Sequence, residues 1–490
     1  MTTLLYTAAQ VRALDRAAIE HGTPGYTLMQ RAAEAAWRTL RRRWPLARRI
    51  VVLCGPGNNG GDGYLVAKLA RAAGLGVTAI ALAPPAAESD AARACADWRA
   101  AGGDVEAPTT LPPADVYVDA LFGTGLSRPL EGEARTLIER VNALGSPVLA
   151  IDVPSGLDAD TGAVLGAAVR ASATITFVAH KRGLFTGDAL DHCGELALDT
   201  LGVAHVYDAV AADAQLLDLR SMMSWLPRRP RNAHKGLYGH VLAIGGEHGM
   251  GGAIRLAGEA ALRVGAGLVS VATRGEHVVA LNAARPELMA HAVADATALA
   301  RMIERATVVA LGPGLGTGDW SRTLWQAALD AGKPCVVDAD GLNLLAAAPR
   351  ALPHAAILTP HPGEAARLAD TTTAEVGRDR FAAARALARR YAAVVVLKGA
   401  GTLIAAPSGE LAVCPWGNPG MAAGGMGDVL TGVIAGLAAQ GLTPWRAACL
   451  GVALHAQAGD MAAADGEAGT LASELFIPLR KLRNVESAHG

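Results

Sequence analysis

A glycine-rich run near the carboxyl end of the chain carries groups suited to phosphate transfer. Asp428 lies at its end, directly before an apolar segment of helical character, and is preceded by Gly420, Gly424, Gly425 and Gly427. Glycine lets the backbone approach a ligand closely, and the free N–H groups of a helix N-terminus bind anions. A carboxylate there would repel phosphate unless it accepts the proton of a hydroxyl that attacks phosphorus. In the alternative interpretation, Asp428 only caps the helix.

A second set of polar residues follows the first predicted strand. The apolar run 48–54 leads into the loop 55–63, which contains Asn58, Asn59 and Asp62. The loop matches G-x-G-x-x-G, but the next strand has no acidic residue placed for a ribose hydroxyl, which argues against a dinucleotide fingerprint. Amide and carboxylate oxygens suit a hard cation and a polar substrate. The alternative is a set of turns closed by Asn and Asp side chains.

Two further predicted strands end in aspartate. Asp119 lies at the end of the strand 116–120, and Asp152 follows the strand 148–151, with Ser155 behind it. The carboxyl ends of parallel strands share one edge of a sheet, where open α/β sheets bind their ligands. These residues therefore predict a ligand site together with the loop 55–63, although strand-end aspartates also cap turns and helices.

The second half of the chain alternates strands and helices in the same way. Its predicted strands lead into loops with groups that can do chemistry: glycines at 245–252 and 312–316, Asp338 with Asp340, His361 between two prolines, and Lys398. Lys398 suits a phosphate ligand, or alternatively a strand-end lysine whose charge reaches solvent. No G-x-x-x-x-G-K-[ST] occurs, so the sequence excludes a P-loop nucleotide site.

The composition bounds the class of protein. The chain of 490 residues is long enough for two or three domains, and its net charge of −1 and aromatic content of 4% predict no nucleic-acid partner. No signal peptide and no membrane-spanning run are expected. The six cysteines lack metal-ligand spacing and several lie in apolar runs, which predicts reduced thiols in a cytoplasmic protein.

The elements that must position these residues form an α/β fold with mostly parallel sheets. Residues 7–44 are expected to be helical, because apolar residues recur there with a period near 3.6. A Pro-rich basic stretch at 226–232 predicts an exposed linker. We therefore expect two three-layer α/β/α domains, at 1–222 and 223–490.

The run around Asp428 resembles the anion-hole segment of the ribokinase-like kinases, in the form found in ADP/ATP-dependent NAD(P)H-hydrate dehydratases. This resemblance covers about 223–480. Residues from about 7 to 215 are similar to the NAD(P)H-hydrate epimerases. Together the halves resemble the bifunctional NAD(P)H-hydrate repair enzymes, which implies a Rossmann-like epimerase domain followed by a ribokinase-like dehydratase domain.

The epimerase resemblance implies a set of site residues. A potassium ion would be bound by Asn59, Asp119 and Ser155, and Asp152 would contact the substrate as a catalytic residue. The segment 177–184 is similar to the family's closing segment. The hydrated nucleotide would be held by Asn58, Asn59, Gly60, Gly61, Asp62, Gly123, Thr124, Gly125, Leu126, Ser127, Arg128 and Pro129.

The dehydratase resemblance implies a second set. Asp428 would be the catalytic base, with Mg²⁺ assisting phosphoryl transfer. The hydrated nucleotide would be lined by Ala253, Gly314, His361 and Asp428. ADP would be held by Lys398, Gly399, Ala400, Gly401, Thr402 and Gly427.

The expected activity is repair of hydrated nicotinamide cofactors. The N-terminal domain would interconvert R and S NADHX or NADPHX, and the C-terminal domain would dehydrate the S epimer with ADP, releasing AMP and phosphate. We expect a homo-oligomer. One alternative is a small-metabolite kinase, and another treats the N-terminal half as a Rossmann-like binding or dimerisation module.

Overall fold

The computed structural model describes residues 3–226 and 228–484. The chain folds into two compact units that divide between Ala214 and Gln215. We call them the N-terminal unit, Leu4–Ala214, and the C-terminal unit, from Gln215 onward. Residues 215–222 thus fold with the C-terminal unit, whereas the domain boundary near residue 222 stays a prediction.

The strands of the N-terminal unit are β1 (Leu4–Tyr6), β2 (Arg49–Cys54), β3 (Gly76–Ala81), β4 (Val105–Glu106), β5 (Val116–Ala120), β6 (Val148–Ile151), β7 (Ala173–Phe177), β8 (His180–Lys181) and β9 (Glu195–Asp199). The central sheet has the order β4-β3-β2-β5-β6-β7-β9 and is parallel throughout. β1 pairs in parallel with β8. The carboxyl ends of β2, β5 and β6, which carry the predicted site residues, are therefore neighbours.

The helices of this unit are α1 (Ala8–Glu20), α2 (Gly25–Arg43), α3 (Asn58–Ala72), α4 (Asp90–Ala100) and α5 (Gly132–Ala143). The helical region expected at 7–44 is split, because Gly22 at φ 97° and Pro24 interrupt it. Thr7 caps α1 as the sequence suggests. Alternate residues of β2 pack in two clusters, Ile50 and Val52 in one and Val51 and Leu53 in the other, so apolar residues cover both faces of the sheet.

The strands of the C-terminal unit are β10 (Ala214–Leu216), β11 (His240–Ile244), β12 (Leu268–Thr273), β13 (Met289–Ala292), β14 (Val308–Leu311), β15 (Cys335–Val337), β16 (Ile357–Leu358), β17 (Val394–Leu397), β18 (Leu403–Ala405) and β19 (Leu411–Val413). Their order is β13-β12-β11-β14-β15-β16-β17-β18-β19-β10. Pairing is parallel from β13 to β17, and β18 is antiparallel to both of its neighbours. The predicted larger, mostly parallel sheet is confirmed.

The helices of this unit are α6 (Leu219–Met222), α7 (Gly251–Arg263), α8 (Gly275–Ala284), α9 (Ala296–Arg305), α10 (Asp319–Asp330), α11 (Ala339–Ala347), α12 (Pro362–Ala369), α13 (Thr373–Arg378), α14 (Arg380–Tyr391), α15 (Met426–Ala439), α16 (Pro444–Ala462) and α17 (Phe476–Arg483). α15 packs closely on α7, because a Cβ on Gly432 would lie only 2.0 Å from the carbonyl oxygen of Ala257. This contact fixes the helix that carries Asp428.

The basic stretch at 226–232 differs from a free linker. Pro227 lies outside the described residues. Arg229 is exposed as expected, yet its guanidinium stacks 3.7 Å from the ring centroid of Tyr238 and donates hydrogen bonds to Gly265 and Gln440. All these partners belong to the C-terminal unit, so Arg229 is anchored there.

The six cysteines are free and buried, as the sequence predicts. Three lie in the N-terminal unit and three in the C-terminal unit. Among the described residues, no helix combines the length and the apolar character that crossing a bilayer requires.

Candidate functional site

A cavity of about 640 Å³ lies in the N-terminal unit, with walls from α1, α2 and the loops that follow β2, β5 and β6. Arg12 of α1 donates a hydrogen bond of 3.1 Å to the carbonyl oxygen of Thr124, which ties α1 to the loop after β5. The structure thus brings predicted site residues from several loops into one lining: Asn58, Asn59, Asp62, Gly123, Thr124, Gly125, Leu126, Ser127, Arg128 and Asp152.

Gly60, Gly61 and Pro129 do not belong to this lining. A Cβ on Gly60 would lie 1.9 Å from the carbonyl oxygen of Gly55, and one on Gly61 would lie 2.6 Å from the Met29 side chain. These two glycines therefore allow close packing around the first turn of α3. A contact of any of the three residues with substrate stays a prediction.

Asp119 and Ser155 form a fully buried pair behind the cavity. The Asp119 carboxylate accepts hydrogen bonds from the Ser155 backbone N–H at 2.7 Å and from its hydroxyl at 2.6 Å. The Ser155 hydroxyl oxygen accepts a hydrogen bond of 2.8 Å from the backbone N–H of Phe122. Burial raises the pKa of Asp119 to about 6, although the hydrogen bonds from Ser155 and Leu121 act in the opposite direction.

Asn59 contributes a buried amide that lacks a partner. Neither its Nδ2 nor its Oδ1 atom makes a hydrogen bond within the described residues. A Cβ on Gly123 would lie 3.4 Å from the Asn59 side chain and 3.2 Å from Asp152 Oδ2, so these groups surround one point. An unpaired buried polar group is costly, which makes the Asn59 amide a candidate ligand-binding group.

Asp152 is held by a buried lysine. Lys181, only 1% exposed, donates to the Asp152 carboxylate, to the Thr176 hydroxyl at 2.9 Å and to the Phe177 carbonyl oxygen at 2.8 Å. Asp152 has φ 67°, and Val178 beside the lysine has φ 64°. Left-handed backbone is strained for a β-branched residue such as valine, and such strain concentrates at functional sites.

Lys181 and Asp15 also line the cavity, and neither was singled out from the sequence. For Lys181, the sequence signal of a functional role was weak, because lysines at strand ends are common on protein surfaces. For Asp15, the sequence signal was clearer. Asp15 follows Val11 at the helical spacing of four residues, a position where the amphipathic pattern of α1 calls for an apolar side chain.

Asp428 lies in the first turn of α15, behind Gly425, which occupies the N-cap with φ 91°. That positive φ requires glycine and lets the loop turn sharply into the helix. Burial raises the pKa of Asp428 to about 7, and the nearby carboxylate of Asp338 adds to the effect. The group can therefore change protonation state near neutral pH, as a general base must.

Lys398 is the centre of an ion-pair network next to Asp428. Its ammonium lies 2.7 Å from Asp338 and 3.7 Å from Glu364, and Asp338 accepts a further hydrogen bond of 2.7 Å from Thr431. Burial alone would lower the pKa of Lys398, but the surrounding carboxylates outweigh it and raise that pKa. The lysine therefore stays charged inside the site.

The remaining predicted residues of this unit form smaller groups. A Cβ on Gly427 would lie 3.2 Å from Lys398 Nζ, so the loop before Asp428 reaches the lysine. A Cβ on Gly314 would lie 3.1 Å from the Ala253 side chain, which makes these two residues neighbours. Gly399, Ala400, Gly401 and Thr402 follow β17 directly, and Thr402 donates to the Gly399 carbonyl at 3.0 Å.

His361 and Asp340 have clear local roles. The Nδ1 atom of His361 caps α12 by accepting hydrogen bonds from the backbone N–H groups of Gly363 and Glu364. Burial lowers the pKa of His361, and its Nε2 atom lies 3.4 Å from Glu364 Oε1. Asp340 accepts from the Gly316 backbone at 2.8 Å and holds the glycine loop in place, which separates its role from that of Asp338.

Comparison with known proteins gives these two sites a family. Residues 241–480 match the sequence profile of NAD(P)H-hydrate dehydratases, and residues 25–183 match that of the YjeF-related protein N-terminus. The bifunctional NAD(P)H-hydrate repair enzyme Nnr of Coxiella burnetii is 50% identical to this chain, over 98% of this chain and 100% of its own. The chain belongs to the bifunctional NAD(P)H-hydrate repair enzymes.

Other members and solved structures agree. The Escherichia coli NAD(P)H-hydrate repair enzyme Nnr is 47% identical over 94% of this chain and 90% of its own. The crystal structure of the Bacillus subtilis ADP/ATP-dependent NAD(P)H-hydrate dehydratase, co-crystallised with ATP and Mg²⁺, covers 56% of this chain and 98% of its own, with 30% identity and a TM-score of 0.51. The epimerase activity of this repair enzyme corresponds to the N-terminal unit and its dehydratase activity to the C-terminal unit.

Proposed function

We propose that the dehydratase of this repair enzyme uses ADP, that Asp428 is its base, and that its epimerase binds potassium. The single observation that supports the dehydratase assignment is the position of Asp428. Its carboxyl has a pKa of about 7, lies in the first turn of the helix that follows Gly425, and is beside the charged Lys398. The glycine loop offers backbone N–H groups to a phosphate, while the carboxylate offers a proton acceptor.

In the dehydration, Asp428 takes the proton of the C6 hydroxyl as its oxygen attacks the terminal phosphorus of ADP, and AMP leaves. The hydroxyl, a poor leaving group, becomes a phosphate ester. Electrons from the ring nitrogen expel phosphate, and loss of a C5 proton restores the dihydronicotinamide. The backbone N–H groups of Gly424, Gly425 and Gly427 and the Lys398 ammonium stabilise the negative charge on the transferring phosphoryl group.

The other assigned residues bind the two substrates. Ala253, Gly314 and His361 line the hydrated nucleotide, and Gly399, Ala400, Gly401 and Thr402 hold the adenine nucleotide together with Lys398 and Gly427. In the epimerase, residues Asn58 to Asp62 and Gly123 to Pro129 hold the hydrated nucleotide around Asp152.

The donors in the N-terminal unit fit a potassium ion. The unpartnered Asn59 Oδ1, the Asp119 carboxylate and the Ser155 hydroxyl supply oxygen atoms, which hard cations prefer. A bound cation would also compensate the buried charge of Asp119. No larger cluster of His, Cys, Asp and Glu suited to a transition metal occurs among the described residues.

The C-terminal unit fits a Mg²⁺ ion that arrives with its nucleotide. The Asp338 carboxylate accepts from Lys398 and Thr431, and Glu364 accepts from the His361 backbone N–H at 2.8 Å, so of these three carboxylates Asp428 is left to face such an ion. Mg²⁺ is commonly held by one or two carboxylates together with substrate phosphates, where it neutralises the phosphoryl charge.

The test is to incubate the protein with R,S-hydrated NADH and either ADP or ATP, following the absorbance of the restored dihydronicotinamide. We expect faster turnover with ADP, and one AMP and one free phosphate for each NADH formed. Faster turnover with ATP would overturn the ADP assignment. Phosphate retained on the organic product would instead favour a metabolite kinase.

The same mixture tests the epimerase. Full conversion of both epimers requires epimerisation faster than its spontaneous rate, and this step should slow when potassium is replaced by tetramethylammonium. An unchanged rate would contradict the potassium site. We also propose that the domains divide at residue 222 and that the protein is a homo-oligomer. Sedimentation velocity would measure the oligomeric state.

A further inference from the structure

The α1 helix places one carboxyl in the wall of the epimerase cavity. Its buried face carries Val11, Leu14 and Ala18, and Asp15 lies on the same side of the helix. Asp15 makes no hydrogen bond and no ion pair within the described residues, and it lines the cavity. An ionisable group kept at an apolar position without a partner costs folding free energy, which points to a functional use.

The surroundings of Asp15 are rich in charge. Lys181 and Asp152, which line the same cavity, and Arg12 and Arg16 of its own helix all lie close enough to act on its charge. Asp62 lines the same cavity and also lacks a hydrogen-bond partner within the described residues. The cavity lining thus contains four carboxyl groups, those of Asp15, Asp62, Asp90 and Asp152, and one lysine, Lys181, which is bound to Asp152.

We infer that Asp15 is the second acid–base residue of the epimerisation, acting across the cavity from the Asp152–Lys181 pair. The inference rests on the proposed epimerase function of this cavity. Inversion of a carbon that bears a hydroxyl needs one group to give a proton on one face and another to take a proton on the opposite face. Asp15 on α1 and Asp152 after β6 come from different walls of one cavity, as this chemistry requires.

The reacting carbon, C6, carries both the hydroxyl and the ring nitrogen N1. The C6–O bond breaks as its oxygen takes a proton from one carboxylic acid and leaves as water, while the N1 lone pair forms a C6=N1 double bond. Water then adds to the opposite face of C6, the electron pair returns to N1, and the other carboxylate takes the proton. One turnover therefore exchanges the protonation states of Asp15 and Asp152, and the reverse turnover restores them.

The electrostatics agree with this geometry. Burial raises the pKa of Asp15 to about 6, and Asp152 adds to the rise while Lys181, Arg12 and Arg16 oppose it. Burial also raises the pKa of Asp62 well above its usual range. A carboxyl that titrates near neutral pH can serve as acid in one half of the reaction and as base in the other.

The test is Asp15→Asn in the full-length enzyme, with Glu20→Gln as the matched control, because Glu20 is an exposed carboxylate on the same helix. We expect kcat for epimerisation to fall at least about 10²-fold with little change in KM. Dehydration of pure S epimer by the same sample should keep its rate, and the control should match the wild type. An unchanged kcat, or a change in KM alone, would overturn the inference.

Two further readouts separate chemistry from structure. The wild-type profile of kcat/KM against pH should have a limb near pH 6 that the asparagine variant lacks. Asp15→Glu should recover at least about tenfold of the lost rate, because it restores a titratable carboxyl. If the asparagine variant does not fold, a wild-type profile that is flat across pH 6 overturns the inference.

Epimerisation in H₂¹⁸O should introduce one ¹⁸O atom at C6 for each inversion, after subtraction of the uncatalysed exchange. Retention of ¹⁶O would overturn the proposed step. A wild-type protein with no epimerase activity would contradict the proposed epimerase function itself. An active wild type with an equally active Asp15→Asn variant would contradict only the role of Asp15.

Discussion

The two units use the same kind of ion pair, a lysine against an aspartate that follows a β-strand, in different ways. In the C-terminal unit, Lys398 binds Asp338, and Thr431 bonds the other carboxylate oxygen, so Asp338 is only 1% exposed. In the N-terminal unit, Lys181 binds Asp152, which remains 16% exposed toward the cavity. Both carboxylate oxygens of Asp338 are therefore occupied by partners, whereas the Asp152 carboxylate is accessible from the cavity.

This difference matches the two reactions. Phosphoryl transfer needs a fixed positive charge, and Asp338 holds Lys398 in place, while in the proposed mechanism a separate carboxyl, Asp428, takes the proton. Epimerisation transfers no phosphate, so the paired carboxylate itself can face the substrate. In the proposed mechanisms, the ion pair therefore positions a cation in the C-terminal unit and a proton acceptor in the N-terminal unit.

The largest effect is expected from Asp428→Asn, which keeps the size of the side chain but removes its ability to accept a proton. Loss of the general base should reduce dehydration by about 10²–10⁴-fold, with ADP affinity and epimerisation little changed. Single-turnover assays with S epimer measure the dehydration rate, and calorimetric titration with ADP measures the ADP affinity. Near-normal turnover would show that Asp428 is not the base. The glycine loop would then be only a phosphate-binding element.

The next effect concerns Lys181→Met. Removing one partner of a buried ion pair leaves an uncompensated charge, so strands β6 and β7 should lose about 3–5 kcal/mol of protection in hydrogen exchange. The matched control is Lys68→Met, which breaks the exposed pair with Asp97 in the same unit and should cost less than about 1 kcal/mol. Equal losses in both variants would show that the Asp152–Lys181 pair is no more than an ordinary surface contact.

A smaller effect is expected from pH. Because the pKa of Asp428 is raised to about 7 and the base must be ionised, dehydration should rise as pH increases through 7. For a single ionisation the ionised fraction grows about tenfold between pH 6 and pH 8. Initial rates with saturating ADP measure this rise, and the Asp428→Asn variant should lack it. A wild-type rate that is constant across this range would contradict the assigned pKa.

The sequence predicted the fold class and the strand-end carboxylates, because periodicity and local turn residues report them directly. Asp119, Asp152 and Asp338 each lie where a predicted strand ends, and the structure has them there. The local pattern could not tell Asp338 from Asp340, since the distinction depends on which of them meets Lys398 and which meets Gly316.

The unpredicted parts of both sites are contacts over long sequence separations. Lys181 reaches Asp152 across 29 residues, and Thr431 reaches Asp338 across 93. No spacing rule carries such information, because register and packing determine it only after the sheet has formed. Asp15 is intermediate: its misplacement on an apolar helix face was visible in the sequence, but its partners across the cavity were not.

The even division of the buried cysteines has a practical consequence. Burial raises the pKa of five of the thiols, those of Cys54, Cys193, Cys335, Cys414 and Cys449, so little reactive thiolate is present in the folded protein. An alkylating reagent would modify them chiefly when a unit opens. Because each unit holds three cysteines, labelling followed by mass spectrometry would count opening events in the two units separately, with the native chain as its own reporter.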